Sequence, residues 1–168
     1  MNKDDISYYL QRVGEELASK GEHGKILLLG GAVMLFMAKY RWYRYTASAS
    51  FNRLKNGENP WVTHGDFIDD WRRSKREDRL ELVCDPLSEA STEQEKQWAA
   101  LFVASIEQLC IQDELVIPSW IQDQKYRLQE PWYPEARSEN MRRYLRETTS
   151  PIFAQYNVFG GNDILDRV

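Results

Sequence analysis

The densest set of side chains able to do chemistry is His64, Asp66, Asp69 and Asp70, held within the stretch WVTHGDFIDDWRR. On a helix Asp66 shares a face with Asp69 and Asp70, its i+3 and i+4 neighbours, and His64 lies just ahead of them. Carboxylates and an imidazole in that arrangement are a ligand set for a divalent cation. On that reading the chain is a metal-dependent enzyme, and only on that reading is magnesium expected as a cofactor. The preferred reading is plainer. Acidic groups early in a helix offset the helix dipole and pair with Arg72 and Arg73 one turn on, and then no cofactor is expected.

Nucleophilic catalysis has less behind it. A thiol–imidazole dyad would need Cys84 or Cys110 beside His23 or His64, and both cysteines read as structural. Cys110 falls on an apolar helical face, and Cys84 closes a helix just before Asp85 and Pro86. The sequence contains no C-x-x-C pair, G-x-S-x-G elbow, P-loop or H-E-x-x-H motif.

These groups need elements to hold them, and the strongest element is the run WAALFVASIEQLC, residues 98–110. Trp98, Leu101, Phe102, Ile106, Leu109 and Cys110 recur at helical spacing, while Ala99, Ala100, Val103 and Ala104 make the other side apolar too. A helix apolar nearly all round is a buried one. Ser91 and Thr92 open it, with Gln94 and Glu95 placed for a capping box, and Pro118 bounds its end. The expected fold is mainly α: a compact helical domain around a buried central helix at about residues 92–112. At most one or two short strands are expected, near residues 25–29.

The remaining helices are expected over residues 3–19, 32–45, 46–55, about 63–83, 138–147 and 150–156, with a last helical turn capped by Asn162. The loop at residues 56–60, Asn-Gly-Glu-Asn-Pro, is read as the boundary between an N-terminal segment (1–55) and a helical domain (56–168). The net charge of −4 argues against a dedicated nucleic-acid binder. The apolar run of residues 25–38 is too short to span a bilayer. The opening residues lack a signal peptide's pattern. A cytoplasmic protein with no membrane partner is expected.

The run Lys39-Tyr40-Arg41-Trp42-Tyr43-Arg44-Tyr45 interleaves cations with aromatics. Such a run can contact phosphates and stack on bases, or anchor a protein interface. In an acidic chain the protein interface is preferred, with Arg41, Trp42, Tyr43 and Arg44 as its candidates and nucleic acid as the alternative.

The N-terminal pattern of helix, apolar KILLL run, Gly30-Gly31 and apolar helix resembles the start of bacterial nucleotidyltransferase-like proteins, including those of abortive-infection and toxin–antitoxin systems. The resemblance covers residues 3–38. It implies that Gly30 and Gly31 open a nucleotide site, where a backbone without side chains lets phosphate approach. The family also carries an Asp-x-Asp pair one or two dozen residues later to hold magnesium. At that place this chain reads Thr46-Ala47-Ser48-Ala49-Ser50, and hydroxyls cannot replace two anionic ligands. Nor does His23 or His64 have the upstream arginine of the helical ribonucleases that accompany such proteins. Without the family, Gly30-Gly31 is simply a tight turn. Residues 43–165 resemble a group of small bacterial helical proteins, on the landmarks NPWVTHGDFIDDW, QWAALFVASIEQLC, IPSW, LQEPWY and YNVFGG; that likeness implies a helical fold and no particular chemistry. Together these features favour a non-catalytic interaction protein, a component of a toxin–antitoxin or defence module. Its expected partner is itself or a neighbouring gene product.

Overall fold

The computed structural model describes residues 45–134 and 136–166, and the chain divides between Arg44 and Tyr45. The expected strand at residues 25–29, Gly30 and Gly31, and the candidate interface residues Arg41, Trp42, Tyr43 and Arg44 lie outside the described residues. Those that are described form a mainly helical fold. In order come α1 (Ala47–Lys55), α2 (Pro60–Arg73), a 3-10 segment (Arg76–Val83) and α3 (Glu93–Gln112). Two 3-10 turns (Ser119–Gln122 and Gln124–Tyr126), α4 (Glu139–Thr148) and α5 (Pro151–Gln155) follow. Among the described residues β-structure is limited to one parallel bridge between Trp132 and Val158. There the Trp132 N–H donates to Asn157 O at 2.8 Å, and the Phe159 N–H donates to Trp132 O at 2.8 Å.

Helix α3 is the buried rod that its composition predicts. Every residue from Trp98 to Ile106 is buried, as are Leu109 and Cys110. Thr92 caps it by accepting the Glu95 N–H at 3.1 Å, and the Glu95 carboxylate reaches back to the Ser91 N–H at 2.6 Å. This is a capping box shifted by one residue at its return arm. The Ser91 hydrogen bond also pulls the Glu95 carboxyl below its ordinary range. Phe102 is the hub of the packing. Phe51 of α1 and His64 and Phe67 of α2 lie 5.9, 5.0 and 6.0 Å from its ring, centre to centre.

Helices α1 and α2 form an antiparallel-type hairpin over α3, and the residues between them are a link rather than a domain boundary. Gly57 adopts φ +94, and Asn59 caps α2 by accepting the Trp61 N–H. A polar Asn-Gly-Glu-Asn-Pro string encodes a short helix–helix turn as readily as a linker. Phe51 and Leu54 bury α1 in the same core as α3. The chain's division before Tyr45 therefore places residues 47–55 with the helical unit.

The single helix expected over residues 63–83 is two elements. Helix α2 starts at Pro60 and stops at Arg73, where Ser74 turns extended (ψ 144) and its N–H closes on Asp70 O. The charged string beyond it offers no apolar stripe to bury, so continuing the helix would gain little. The 3-10 segment instead turns Leu82 and Val83 into the core. Val62, on the first turn of α2, is 45% exposed.

In the C-terminal part, α4 is capped by Ser138 and buries only Leu145; Met141 and Tyr144 are exposed. Helix α5 begins with Pro151 behind the cap Ser150, as expected from proline's fit to a first helical position. The last helical turn expected after Asn162 is not a helix among the described residues. It is one turn closed by the Asp166 N–H on Asp163 O at 2.7 Å, since so short a helix lacks the bonds to offset its nucleation.

Candidate functional site

The four residues singled out at the sequence level are neighbours on α2, and each is engaged by groups of the protein itself. His64 is buried on the α3 side, its Nε2 2.9 Å from Ser105 Oγ and its ring edge-on to Phe102. The Ser105 hydroxyl donates to Leu101 O at 2.8 Å. Its one proton is then committed, so His64 Nε2 carries a proton and donates to Ser105. Asp66 takes Arg53 of α1 at 2.9 Å. Asp69 faces Arg73 at 3.6 Å. Asp70 is buried, accepts the Tyr45 N–H and lies 3.8 Å from Arg73. Sequence reading assigned these acids to Arg72 and Arg73. Arg73 fits that reading, whereas Arg72 reaches Leu165 O and Asp166 instead. Among the described residues no three His, Cys, Asp or Glu side chains stand together as a cation site.

Arg53 is the electrostatic clasp of the hairpin. It pairs with Glu58 at 2.6 Å and with Asp66 at 2.9 Å, and its guanidinium lies 4.3 Å from the centre of the Tyr45 ring. The bond that Arg53 donates to Glu58 is the main reason that Arg53 holds its proton even more firmly than usual, and Arg53 in turn lowers the Glu58 carboxyl. A second clasp joins α2, the 3-10 segment and α3. Asp113 Oδ2 accepts both the Trp71 Nε1–H and Arg79 Nη1, each at 2.6 Å.

Away from these clasps, one face of α2 borders open space. Trp61, Gly65, Ile68 and Arg72 fall at i, i+4, i+7 and i+11, a single stripe about 16 Å long at 1.5 Å per residue. Residues 164–166 cross this stripe and line a cleft on either side. The cleft of about 440 Å³ opens toward Trp61 and Val62, and the other, of about 570 Å³, toward Trp71 and Arg72. Trp61 is held edge-to-face by Trp98, centres 4.9 Å apart, and Trp98 by Trp132 at 5.5 Å. Yet Trp61 remains 37% exposed beside the exposed Val62.

This surface escaped sequence reading. The available signal was Trp61 itself, placed by Pro60 in the first turn of a helix. Ile164 and Leu165 gave no signal, being two aliphatic residues in an otherwise polar segment. Of the two thiols read as structural, only Cys110 is inside. Cys110 is buried, which pushes its pKa up to about 11, and Cys84 is exposed. No helix among the described residues is long and apolar enough to cross a membrane. Comparison with protein-family models, with curated proteins and with solved structures finds no match.

Proposed function

We propose that this protein acts by binding another protein, without catalysis, as a component of a bacterial toxin–antitoxin or related defence module in the cytoplasm. The observation that carries the binding half of this reading is the exposed pair Trp61 and Val62 at the lip of the 440 Å³ cleft. A tryptophan immobilised by a second aromatic loses little entropy on contact and offers a large area, the character of an interface anchor. The defence-module half rests on the nucleotidyltransferase-like pattern of residues 3–38, together with serines where that family carries its metal-binding acids. The partner is then a second copy or a neighbouring gene product, and no cofactor is required.

The test is recovery of the partner from the native host, followed by reconstitution with purified components. Trp61→Ala should weaken the reconstituted complex by about 30-fold or more, corresponding to roughly 2 kcal/mol for an aromatic anchor. The loss should be nearly independent of salt, because it comes from desolvated apolar area. An unchanged Kd, or a complex with nucleic acid that weakens steeply with added salt, would overturn the proposal.

A further inference from the structure

The stripe on α2 is already partly occupied, and its occupant carries information about what fits there. Residues 160–166 read Gly-Gly-Asn-Asp-Ile-Leu-Asp. Ile164 and Leu165 pack partly buried against the core, while Asn162, Asp163 and Asp166 stay exposed. The segment is tied down at a few points. Arg72 Nη2 donates to Leu165 O at 2.7 Å and lies 3.4 Å from the exposed Asp166 carboxylate, and the Gly161 N–H donates to Thr149 Oγ1 at 2.9 Å. Clefts of about 440 and 570 Å³ flank it. Both clefts are open to solvent, so the two aliphatic side chains cover only part of this groove.

We propose that the groove along Trp61, Gly65, Ile68 and Arg72 is a docking site for a segment of a partner protein with two adjacent aliphatic residues flanked by carboxylates. Residues 160–166 hold that place in the free protein. The match is chemical. The apolar floor takes the aliphatic pair, and Arg72 takes a backbone carbonyl and a carboxylate together, as it does now with Leu165 and Asp166. The wider clefts leave room for larger side chains on the partner than Ile164 and Leu165. The proposal rests on the interaction reading above and specifies which surface and what kind of partner segment.

Gly160 provides a specific way to open the groove. A Cβ on Gly160 would sit 2.0 Å from Ile164 Cδ1, so Gly160→Ala forces Ile164 out of its seat while leaving α2 untouched. The experiment is fluorescence anisotropy with a labelled, end-blocked GGNDILD peptide and the full chain. Wild type should bind weakly, because its own segment competes; Gly160→Ala should bind at least tenfold tighter. Adding Arg72→Ala to that variant should cost about tenfold, and a peptide with aspartates in place of its Ile-Leu pair should not bind. Ile164→Asp, which removes the seated side chain by a different route, should reproduce the gain.

The proposal fails if neither opened variant binds better than wild type, or if binding ignores the Ile-Leu pair. It fails also if both variants lose their thermal unfolding transition, since the segment would then be an integral part of the core. Self-association of Gly160→Ala without peptide would make the occupant a second copy's own segment, again overturning it. A Trp61-dependent complex with no peptide binding by any variant would refute the groove alone and leave the interaction reading intact.

Discussion

Replacing Ser105 by alanine decides whether His64 is a structural tie or an available ligand. Only 3% of His64 is exposed, so no water replaces the serine once its hydroxyl is gone. The loss on the α3 side is small. Leu101 O keeps its regular i→i+4 helical donor, and alanine is the better helix former. Almost the whole cost therefore falls on the His64 Nε2–H, a buried donor left without its acceptor, at about 1–3 kcal/mol. Replacing both partners by apolar groups removes that penalty, because no buried donor remains to be satisfied.

The measurement is a double-mutant cycle by urea denaturation at about pH 8, above the ordinary histidine range. Ser105→Ala should cost about 1–3 kcal/mol in the wild-type background and less than about 0.5 kcal/mol in a His64→Leu background. The difference is the coupling between the two residues. Equal costs in both backgrounds would refute the assignment of the Nε2 proton to Ser105. A cost below about 0.5 kcal/mol in wild type would show that His64 can find another acceptor, or water, and is not locked where the structure places it.

Two further outcomes follow from the same geometry. Burial raises the Cys110 pKa from 9.0 to about 11, so between those values the unfolded chain releases a proton that the folded chain keeps. Stability should then fall as pH rises from 9 to 11, with Tyr156, raised above its ordinary 10.0 by burial and by Glu107, adding to the fall from about pH 10 upward. Denaturation midpoints measured across that range should decline less steeply for Cys110→Ala than for wild type, and parallel slopes would contradict the burial argument. Millimolar magnesium or manganese should leave the Tm essentially unchanged, because Asp66 and Asp69 already hold Arg53 and Arg73. A saturable rise in Tm that Asp66→Asn abolishes would mean that a cation displaces those arginines, and the metal-dependent reading would gain ground.

Much of the secondary structure was legible because the relevant physics is local. Thr92 with Glu95, Ser138 ahead of α4, and Ser150 with Pro151 are capping arrangements that act within a few residues of sequence, and the all-round apolar run of α3 states its own burial. The split of residues 60–83 was less legible. Phe67, Ile68 and Trp71 are spaced for one helical face, but what ends α2 is the lack of anything for a continued helix to cover. That is a property of the neighbours and not of the RRSKREDR string itself.

The site shows the same limit more sharply. Helical spacing correctly placed Asp66, Asp69 and Asp70 within one turn of each other, but spacing gives only the direction of a side chain and says nothing of what it meets. Asp66 meets Arg53 across a helix hairpin, His64 meets Ser105 41 residues away, and Trp71 meets Asp113 42 residues away. Each of these pairs is non-local, and the first two satisfy groups that in the sequence alone looked available for chemistry. The reverse holds for Trp61 and Val62. Their apolar character argues for the interior, yet they sit on the first turn of α2 at the lip of a cleft and stay exposed. A cluster of acids was thus the conspicuous signal and an uncovered tryptophan the quiet one. Folding partners quench the first, and in the described part of the chain it is the second that leaves surface for another molecule to bury.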